Sequence, residues 1–325
     1  MTFDSWASIP WEKTSSDEAS GTLQVLHKHR VPYTTDPNSL QNLDVWIPLT
    51  AGAAAPEPSA IPARDGIWVI YIHGGAWRDP LVDSSSFAPT ISHLKPPIED
   101  SVAGFASLNY SLSPHPSHPT HPAPPKDPNQ PLDSSRQAKH PEHILDVLTG
   151  LAYLQAKFGF GSNYVLLGHS CGATLAFQVA MDHAKWGASV PSVKKPKAIV
   201  GLNGIYDMPN LIKNPKEKHK ELSPLYEAFT RLAFGDNEKE WHDFSPIAVG
   251  DWASEWSERA KAFLVQSHED TLVPYNQLEG MQKQLQKSKG AGLEDIELEA
   301  GGDHNDLWKK GDRLAEIVAE AVKSL

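Results

Sequence analysis

A serine flanked by glycines stands directly between an apolar strand and an apolar helix. The segment Gly168-His169-Ser170-Cys171-Gly172 follows the apolar run Tyr164 to Gly168 and precedes the helical stretch Ala173 to His183. Alone, such a pattern arises by chance in loops, but in this setting it predicts a sharp turn that lifts the serine hydroxyl clear of a sheet. Ser170 is the predicted nucleophile, and the Cys171 N–H is expected to point toward the oxygen that becomes negative.

Short apolar runs alternate with longer amphipathic segments along the chain. This alternation predicts one α/β domain over residues 1–325, with a mostly parallel central sheet flanked by helices. The run Ile67 to His73 is apolar throughout, as expected of a strand buried on both faces. The other predicted strands are Leu23 to Tyr33, Asn42 to Pro48, Val102 to Asn109, Ala198 to Leu202, Ala262 to Val265 and, near an edge, Asp295 to Glu299. The other predicted helices are Pro141 to Lys157, Asn276 to Gln286 and Leu307 to Val322.

Three segments do not fit this alternation. Asp207 to Trp256 is rich in Trp, Phe, Lys and Glu, and it is interpreted as a helical lid insertion, because ligands bind beyond the carboxyl ends of the strands. Ser113 to His140 combines many prolines with four histidines and is interpreted as a flexible surface loop that cannot pack. A metal site there is the alternative, but no cysteine or i,i+4 histidine pair supports it. Ala51 to Ala63 is a further flexible Ala/Pro stretch.

A second glycine-rich turn lies upstream of the serine, directly after the predicted strand Ile67 to His73. It reads His73-Gly74-Gly75-Ala76-Trp77. Alone it is a simple glycine turn, but upstream of a strand-serine-helix turn it predicts the second half of an oxyanion hole. Glycines let backbone amides approach a reacting carbonyl without a Cβ in the way. The predicted donors are the backbone N–H groups of Gly74, Gly75, Ala76 and Cys171.

A serine nucleophile needs a histidine base and an orienting carboxylate, which follow here in the order serine, acid, histidine. His304 lies in a glycine-rich loop between the last predicted strand and the last helix, where the base belongs. The other histidines after the serine lie in a predicted helix, in the lid segment or ahead of the acid: His183, His219, His242 and His268. Asp270 follows a predicted strand and is the expected acid, with Glu269 and a turn-capping role for Asp270 as the alternatives. The predicted catalytic residues are Ser170, Asp270 and His304.

Composition excludes several classes of partner. The net charge of -11 argues against nucleic acid, which is bound by clustered Lys and Arg. The N-terminus lacks a signal-peptide core, and no run approaches the roughly 18 apolar residues of a membrane span. The single cysteine, Cys171, allows no intrachain disulfide, which suits a reducing compartment. We expect a soluble, cytoplasmic monomer or homodimer.

Four motifs together resemble the α/β-hydrolase superfamily and, more narrowly, the fungal-type kynurenine formamidases (arylformamidases) of tryptophan breakdown. The motifs are His73-Gly74-Gly75-Ala76-Trp77-Arg78-Asp79-Pro80, Asn109-Tyr110-Ser111-Leu112-Ser113-Pro114, Gly168-His169-Ser170-Cys171-Gly172-Ala173-Thr174 and Gly204-Ile205-Tyr206-Asp207. Hormone-sensitive-lipase-like esterases usually carry a third glycine where Ala76 stands. The superfamily resemblance covers the chain from about Leu23 onward, although the Pro/His-rich insertion departs from the pattern.

The resemblance implies hydrolysis of N-formyl-L-kynurenine to L-kynurenine and formate, without cofactor or metal, through a formyl-enzyme at Ser170. Trp77, Tyr110 and Tyr206 are candidates for an aromatic wall around the substrate ring, and core packing is the alternative for each. Two other functions stay open. A general carboxylesterase acting on small acyl esters would use the same residues, and a silent hydrolase-fold protein would only bind a small ligand.

Overall fold

A nine-stranded sheet crosses the protein in the computed structural model, which describes residues 5–14, 23–49, 54–256, 259–288 and 293–325. The strands are β1 (Glu12–Lys13), β2 (Val25–Pro32), β3 (Asn42–Pro48), β4 (Ile67–Ile72), β5 (Val102–Leu108), β6 (Tyr164–His169), β7 (Ala198–Leu202), β8 (Lys261–Gln266) and β9 (Glu294–Glu299). The α-helices are α1 (Ser5–Ser8), α2 (Ala88–His93), α3 (Glu142–Phe158), α4 (Cys171–Ala180), α5 (Met208–Lys213), α6 (Ser223–Phe234), α7 (Glu238–Asp243), α8 (Trp252–Glu255), α9 (Asn276–Gln286), α10 (Asp306–Lys310) and α11 (Asp312–Lys323).

The strand order across the sheet is β1-β2-β3-β5-β4-β6-β7-β8-β9. All pairs from β5 to β9 are parallel, and β1, β2 and β3 join antiparallel at one end. This confirms the predicted mostly parallel sheet, including the position of β9 at an edge. Because β4 and β6 are adjacent and parallel, with Ile72 opposite Gly168, their carboxyl ends bring the His73 turn beside Ser170.

The position of β4 in the centre of the sheet explains why its sequence is apolar throughout. Ile70 and Ile72 belong to the apolar cluster that includes α3 and α4, whereas Val69 and Tyr71 belong to the cluster that includes α2 and α11. Successive side chains therefore enter opposite cores, and all four are fully buried. Burial of each side chain of this size contributes on the order of 1.5–3 kcal/mol.

Two predicted helices differ from those observed. The stretch Leu307 to Val322 is divided into α10 and α11 at Gly311, whose φ is 80°, so the chain turns there instead of continuing. Helix α4 begins at Cys171 and ends at Ala180, and a short 3₁₀ turn follows before Gly187. The first difference is a break at a glycine inside the predicted helix, and the second concerns helix ends, where local signals are weakest.

The irregular segments have definite positions. Asp207 to Trp256 contains α5 to α8 and contributes no strand, and its function as a lid stays a prediction. Ser113 to His140 was expected not to pack, but several of its residues are buried, including Ser113, His118 and Ser135. Its chain is held at Ser113, whose N–H donates to the Trp77 carbonyl at 2.7 Å. The predicted Ala51 to Ala63 stretch lies partly outside the described residues.

Three buried histidines should make the fold sensitive to acid. Burial lowers the pKa of His73 to about 4 and those of His143 and His169 to about 3. An unfolded histidine titrates near pH 6.5, so below that pH the unfolded state binds more protons than the folded state. The three neutral, buried histidines therefore cost the folded state nothing above pH 6.5, and the free energy of unfolding decreases as the pH falls below that value. Each should lower the free energy of unfolding by up to about 1.4 kcal/mol per pH unit between roughly pH 6.5 and 4.

Urea unfolding at pH 7.5, 6 and 5 measures this slope. His143→Gln should make the slope shallower, whereas His268→Gln, at a side chain that is 69% exposed, should leave it unchanged. A free energy of unfolding that is constant from pH 7.5 to 5 would contradict the expectation.

Candidate active site

Ser170 occupies a strained turn between β6 and α4. Its φ of 55° and ψ of -120° lie in a region that non-glycine residues rarely adopt. The turn is fixed by a hydrogen bond from the Ser170 N–H to the Leu202 carbonyl at 2.8 Å. The side chain lines a cavity of about 210 Å³ at the carboxyl ends of the parallel strands. Backbone strain of this kind is typical of sites where a reactive group must be presented.

The glycines on either side of the serine are required by close approach of the backbone. A Cβ at Gly168 would lie 2.1 Å from the Gly172 carbonyl oxygen, and one at Gly172 would lie 2.4 Å from the Ile72 carbonyl oxygen. Neither neighbour is a flexible side chain, so relief would require movement of β4 or β6. The two glycines thus allow the nucleophile turn to pack against the strand that carries the His73 turn.

Gly172→Ala tests this packing. We expect the free energy of unfolding to fall by about 1–3 kcal/mol or more, because the added methyl group must displace the backbone. Activity should fall strongly as well, since the same displacement separates Ser170 from the His73 turn. Gly250→Ala is the matched control, because its Cβ would meet nothing within 4 Å. Thermal unfolding and ester hydrolysis measure both effects, and a Gly172→Ala protein with native melting temperature and activity would refute the argument.

His304 and Asp270 form a buried pair beside the serine. His304 Nδ1 lies 2.8 Å from Asp270 Oδ2, and the two residues are 4% and 2% exposed. His304 lines the same cavity as Ser170, although no hydrogen bond joins their side chains in the described structure. The sequence-predicted acid, base and nucleophile are thus brought to one place. Such hydrogen bonds are often long before substrate binds.

Asp270 is held by four donors. Its Oδ1 accepts hydrogen bonds from the backbone N–H groups of Leu272 and Val273 at 2.7 and 2.8 Å, and its Oδ2 accepts from Gln266 Nε2 at 3.0 Å as well as from His304. The rival acid Glu269 is exposed, and its Oε2 instead accepts from the Gly302 N–H at 3.1 Å. The carboxylate that contacts the His304 imidazole is therefore that of Asp270 and not that of Glu269.

Two residues that the sequence did not single out hold the histidine loop. His169 Nε2 and Asn203 Nδ2 lie 2.8 and 3.1 Å from the His304 carbonyl oxygen. His169 has its pKa lowered by burial and stays neutral at pH 7, so its Nε2–H donates to that carbonyl. His169 precedes Ser170 and Asn203 follows the strand β7, but no local pattern shows that either reaches His304.

Asp303 also joins the two loops that carry Asp270 and His304. Its Oδ1 accepts from the Thr271 N–H at 3.0 Å, from the Thr271 hydroxyl at 2.6 Å and from the His304 N–H at 2.7 Å. These bonds connect the loop that carries Asp270 to the loop that carries His304. The Asp270 loop and the His304 loop are therefore held together by Asp303 as well as by the direct contact between Asp270 and His304.

The His73 turn lies directly against Ser170. Gly75, Ala76 and Trp77 all have positive φ, at 94°, 50° and 57°. A Cβ at Gly74 would lie 3.1 Å from Ser170 Cβ, so the turn and the serine are in direct contact. Within the described chain, none of the N–H groups of Gly74, Gly75, Ala76 and Cys171 donates to a backbone carbonyl, but Gly74 does not line the cavity. Gly75 and Ala76 line the cavity, whereas Cys171 does not, and the Ala76 N–H also contacts the Cys171 thiol.

The Cys171 thiol supports this turn from below. Its Sγ accepts a hydrogen bond from the Trp77 N–H at 3.3 Å and lies 3.6 Å from the Tyr110 hydroxyl. Burial raises the pKa of the thiol to about 11, so it is protonated at neutral pH and does not compete with the serine as a nucleophile. Through these contacts Cys171 connects the Ser170 turn to the His73 turn.

The three aromatic residues proposed for a substrate wall lie elsewhere. Trp77, Tyr110 and Tyr206 are at most 1% exposed, and none of them lines the cavity. The Tyr110 hydroxyl donates to the His73 carbonyl at 3.1 Å, beneath the oxyanion turn. The Tyr206 ring contacts the space where a Cβ of Gly201 would stand. These rings fill the core under the site, which is the alternative that the sequence left open.

The cavity wall is mostly apolar and comes partly from the predicted lid segment. Helix α6 contributes Leu225, Tyr226 and Phe229, and the opposite wall is formed by residues after β8 and in the oxyanion turn. His115 brings the Pro/His-rich segment to the rim. The remaining apolar lining residues are Val82, Ile205, Leu272 and Val273.

The one group of described side chains with the spacing for a metal ion lies outside this cavity. His27, His29 and Asp44 belong to β2 and β3, and both imidazoles contact Asp44 Oδ1, at 2.8 and 2.6 Å. None of the three lines the cavity. Among the described helices, none combines the length and the apolar character needed to cross a membrane.

Relatives of the chain come from fungi. The kynurenine formamidase-like hydrolase fscH of Fusarium equiseti is 34% identical over 311 residues, which cover 92% of this chain and 95% of that protein. The kynurenine formamidase avaC of Aspergillus versicolor is 33% identical over 256 residues, covering 75% and 84%. The kynurenine formamidase of Saccharomyces cerevisiae is 27% identical over 267 residues, covering 78% and 88%. No protein-family profile matches the chain.

Solved structures support the fold class. Esterase B from Lactobacillus rhamnosis superposes with a TM-score of 0.65 at 14% identity, covering 92% of this chain and 87% of the esterase chain. A truncated carbohydrate esterase from gut microbiota gives a TM-score of 0.57 at 18% identity, covering 91% and 96%. At such identities the likeness concerns the fold alone. Together with the fungal relatives, it identifies a hydrolase, and the chain belongs to the kynurenine formamidase family of α/β-hydrolases.

Proposed function

We propose that this hydrolase cleaves the formamide of N-formyl-L-kynurenine, giving L-kynurenine and formate, through a formyl-enzyme at Ser170. The observation that carries the proposal is the single cavity lined by Ser170, His304, Gly75 and Ala76, in a chain of the formamidase family. The short distance between His304 and Asp270 supports the proposal further. Nucleophile, base and oxyanion donors are the parts that acyl transfer requires.

Acylation starts when His304 Nε2 removes the proton of the Ser170 hydroxyl. The serine oxygen then forms a bond to the formyl carbon, and the carbonyl oxygen becomes an oxyanion held by the N–H groups of Gly75, Ala76 and Cys171. Asp270 accepts the Nδ1–H of the histidine and stabilises the imidazolium. Each well-placed oxyanion donor contributes on the order of 3 kcal/mol to the transition state.

Collapse of the intermediate breaks the bond between the formyl carbon and nitrogen. His304 returns the proton to the departing aryl nitrogen, and L-kynurenine leaves. The aromatic ring stabilises the lone pair of this nitrogen, so it leaves more easily than an alkylamine. Water, activated by the same histidine, then attacks the formyl-enzyme, and formate departs while Ser170 regains its proton.

The apolar wall suits an aryl substrate. Tyr226 and Phe229 of α6 line the cavity beside Ser170, and they supply the aromatic contacts first assigned to other residues. We propose that the segment Asp207 to Trp256 acts as the lid of the site through this helix. The small formyl group needs little space at the serine, which agrees with the 210 Å³ of the cavity.

Kinetic comparison of substrates tests the proposal. Purified protein is assayed for kynurenine release from N-formyl-L-kynurenine and for hydrolysis of p-nitrophenyl acetate. We expect a kcat/KM at least 100-fold higher on the formamide, together with a formyl adduct on the Ser170 peptide after rapid acid quench. Ester hydrolysis without formamide hydrolysis would instead make the protein a carboxylesterase.

A further inference from the structure

Arg78 places a cation in the wall of the catalytic cavity. Arg78 lines the same cavity as Ser170 and His304 and is only 6% exposed. Its guanidinium carbon lies 5.8 Å from the ring of Phe229, which lines that cavity too. It follows the oxyanion turn directly, and its backbone N–H donates to the Gly75 carbonyl at 3.0 Å. The guanidinium is therefore attached to the same short turn that presents the oxyanion donors.

The guanidinium has no acceptor in the described part of the chain. A guanidinium offers five N–H donors, but none of them makes a hydrogen bond there, and no carboxylate lies within the 4.0 Å of an ion pair. The neighbouring Asp79 accepts instead from the Leu81 N–H at 2.9 Å and lies 3.6 Å from His118 Nε2. The Phe229 ring, 5.8 Å from the guanidinium carbon, offers only a weak cation–π contact.

A buried and unpaired cation is costly unless a ligand supplies the missing charge. Burial lowers the pKa of the Arg78 guanidinium, and the charge of the neighbouring Asp79 offsets this effect only in part. Arg136, by comparison, is similarly buried but donates from Nη2 to the His121 carbonyl at 2.8 Å. Of the described residues that line the cavity, Arg78 is the one with a permanent positive charge. His115 also lines it, but burial lowers the pKa of His115 to about 4, so this side chain is neutral at pH 7.

The chemistry of this group selects a planar anion. The guanidinium fork matches a carboxylate through two parallel hydrogen bonds, which fixes orientation as well as charge. Most of the remaining wall is apolar or aromatic, although the Asp79 carboxylate also lines the cavity. The ligand that complements this wall has an aryl body and a carboxylate that reaches the Arg78 guanidinium. Under the proposed function, the substrate carries one carboxylate, on its amino-acid side chain.

We propose that Arg78 is the carboxylate-binding residue of this site and makes the enzyme selective for aryl formamides that bear a free carboxylate. The proposal rests on the proposed function for the identity of the substrate. The substrate carboxylate supplies the hydrogen-bonded partner that the buried guanidinium lacks. Because Arg78 directly follows the oxyanion turn, this contact also helps to hold that turn in place. Specificity and positioning of the reacting carbonyl therefore come from one segment, Gly74 to Arg78.

Arg78→Gln tests this role with two substrates. One is N-formyl-L-kynurenine, and the other is its decarboxylated analogue, N-formylkynuramine. Hydrogen bonds to charged groups are worth roughly 1.5–3 kcal/mol, or about 10- to 150-fold. The ratio of kcat/KM on the two substrates should fall by about this factor in the variant, mainly through KM for the carboxylated substrate. Arg78→Lys, which keeps the charge but not the fork, should recover part of the ratio.

Arg136→Gln is the matched control and should keep the wild-type ratio, because it removes a buried arginine that already has a partner. Equal losses on both substrates in Arg78→Gln would overturn the proposal, because they indicate a structural role. The melting temperature of each variant shows whether it folds. If Arg78→Gln does not fold, the test is the ratio of the wild-type kcat/KM values on N-formyl-L-kynurenine and N-formylkynuramine. A ratio near one would overturn the proposal.

A second measurement separates this proposal from the formamidase assignment. L-kynurenine and kynuramine are compared as competitive inhibitors of p-nitrophenyl acetate hydrolysis, which needs no formamidase activity. Stronger inhibition by L-kynurenine that is lost in Arg78→Gln would support the carboxylate site even if formylkynurenine were not cleaved. Equal inhibition by both compounds would overturn it even if the formamide were a good substrate.

Discussion

Ser170→Ala is expected to abolish hydrolysis of both formamide and ester substrates, with kcat falling by roughly 10⁵- to 10⁶-fold. The methyl group cannot form the acyl bond, and no other nucleophile is available nearby. Cys171, the adjacent thiol, is buried and protonated, and it is bound by the Trp77 N–H. The measurement is single-turnover kynurenine release at high enzyme concentration, which detects very slow residual reaction.

The variant should fold normally, because removing the hydroxyl leaves the Ser170 backbone bond to Leu202 in place. An unchanged melting temperature, together with tight binding of L-kynurenine, would show that only chemistry is lost. Cys171→Ala is the useful comparison, since it should retain turnover while loosening the oxyanion turn. Full activity of Ser170→Ala would overturn the mechanism, and inactivity of Cys171→Ala alone would point to the thiol.

Asp270→Asn is expected to lower kcat by about 10⁴-fold while leaving the fold intact. The surroundings of the carboxylate decide how the new amide must orient. Oδ1 accepts from two backbone N–H groups, so the amide oxygen has to stay at that position. The NH₂ group then replaces Oδ2 and faces His304 Nδ1. The imidazole is forced into the tautomer with its proton on Nε2, which cannot accept the proton of Ser170.

Glu269→Gln is the matched control for this change. Its side chain contacts only the Gly302 N–H among the described hydrogen bonds, so its activity should stay within about twofold of the wild type, as for most surface substitutions. The pH dependence of kcat/KM on both variants measures the loss of the histidine base. An inactive Glu269→Gln protein beside an active Asp270→Asn protein would move the acid by one residue.

Local patterns predicted the parts of the site that depend on consecutive residues. Ser170 between an apolar strand and helix, and the His73 turn after a buried strand, carry their geometry in their immediate neighbours. The alternation predicted a mostly parallel sheet but not the order of its strands. The structure places β4 next to β6, which brings these two turns together.

Contacts between distant residues were not predictable in this way. Trp77 and Tyr110 were candidates for the cavity wall because they are aromatic and close to the motifs, but their rings turn into the core. Tyr226 and Phe229, which do line the cavity, lie in a segment without a recognisable motif. Whether the Arg78 guanidinium has a hydrogen-bonded partner likewise depends on where every nearby carboxylate points. A local sequence pattern does not contain this information.

The origin of the cavity wall in α6 has a consequence for how enzymes of this kind diversify. The catalytic groups are attached to the ends of sheet strands, whereas Leu225, Tyr226 and Phe229 belong to a helix outside the sheet. Mutations in that helix can therefore alter which acyl or aryl group is accepted without moving the serine, the acid or the base. Directed evolution toward new amides or esters should accordingly accumulate its changes in α6, where variation is separated from the chemistry.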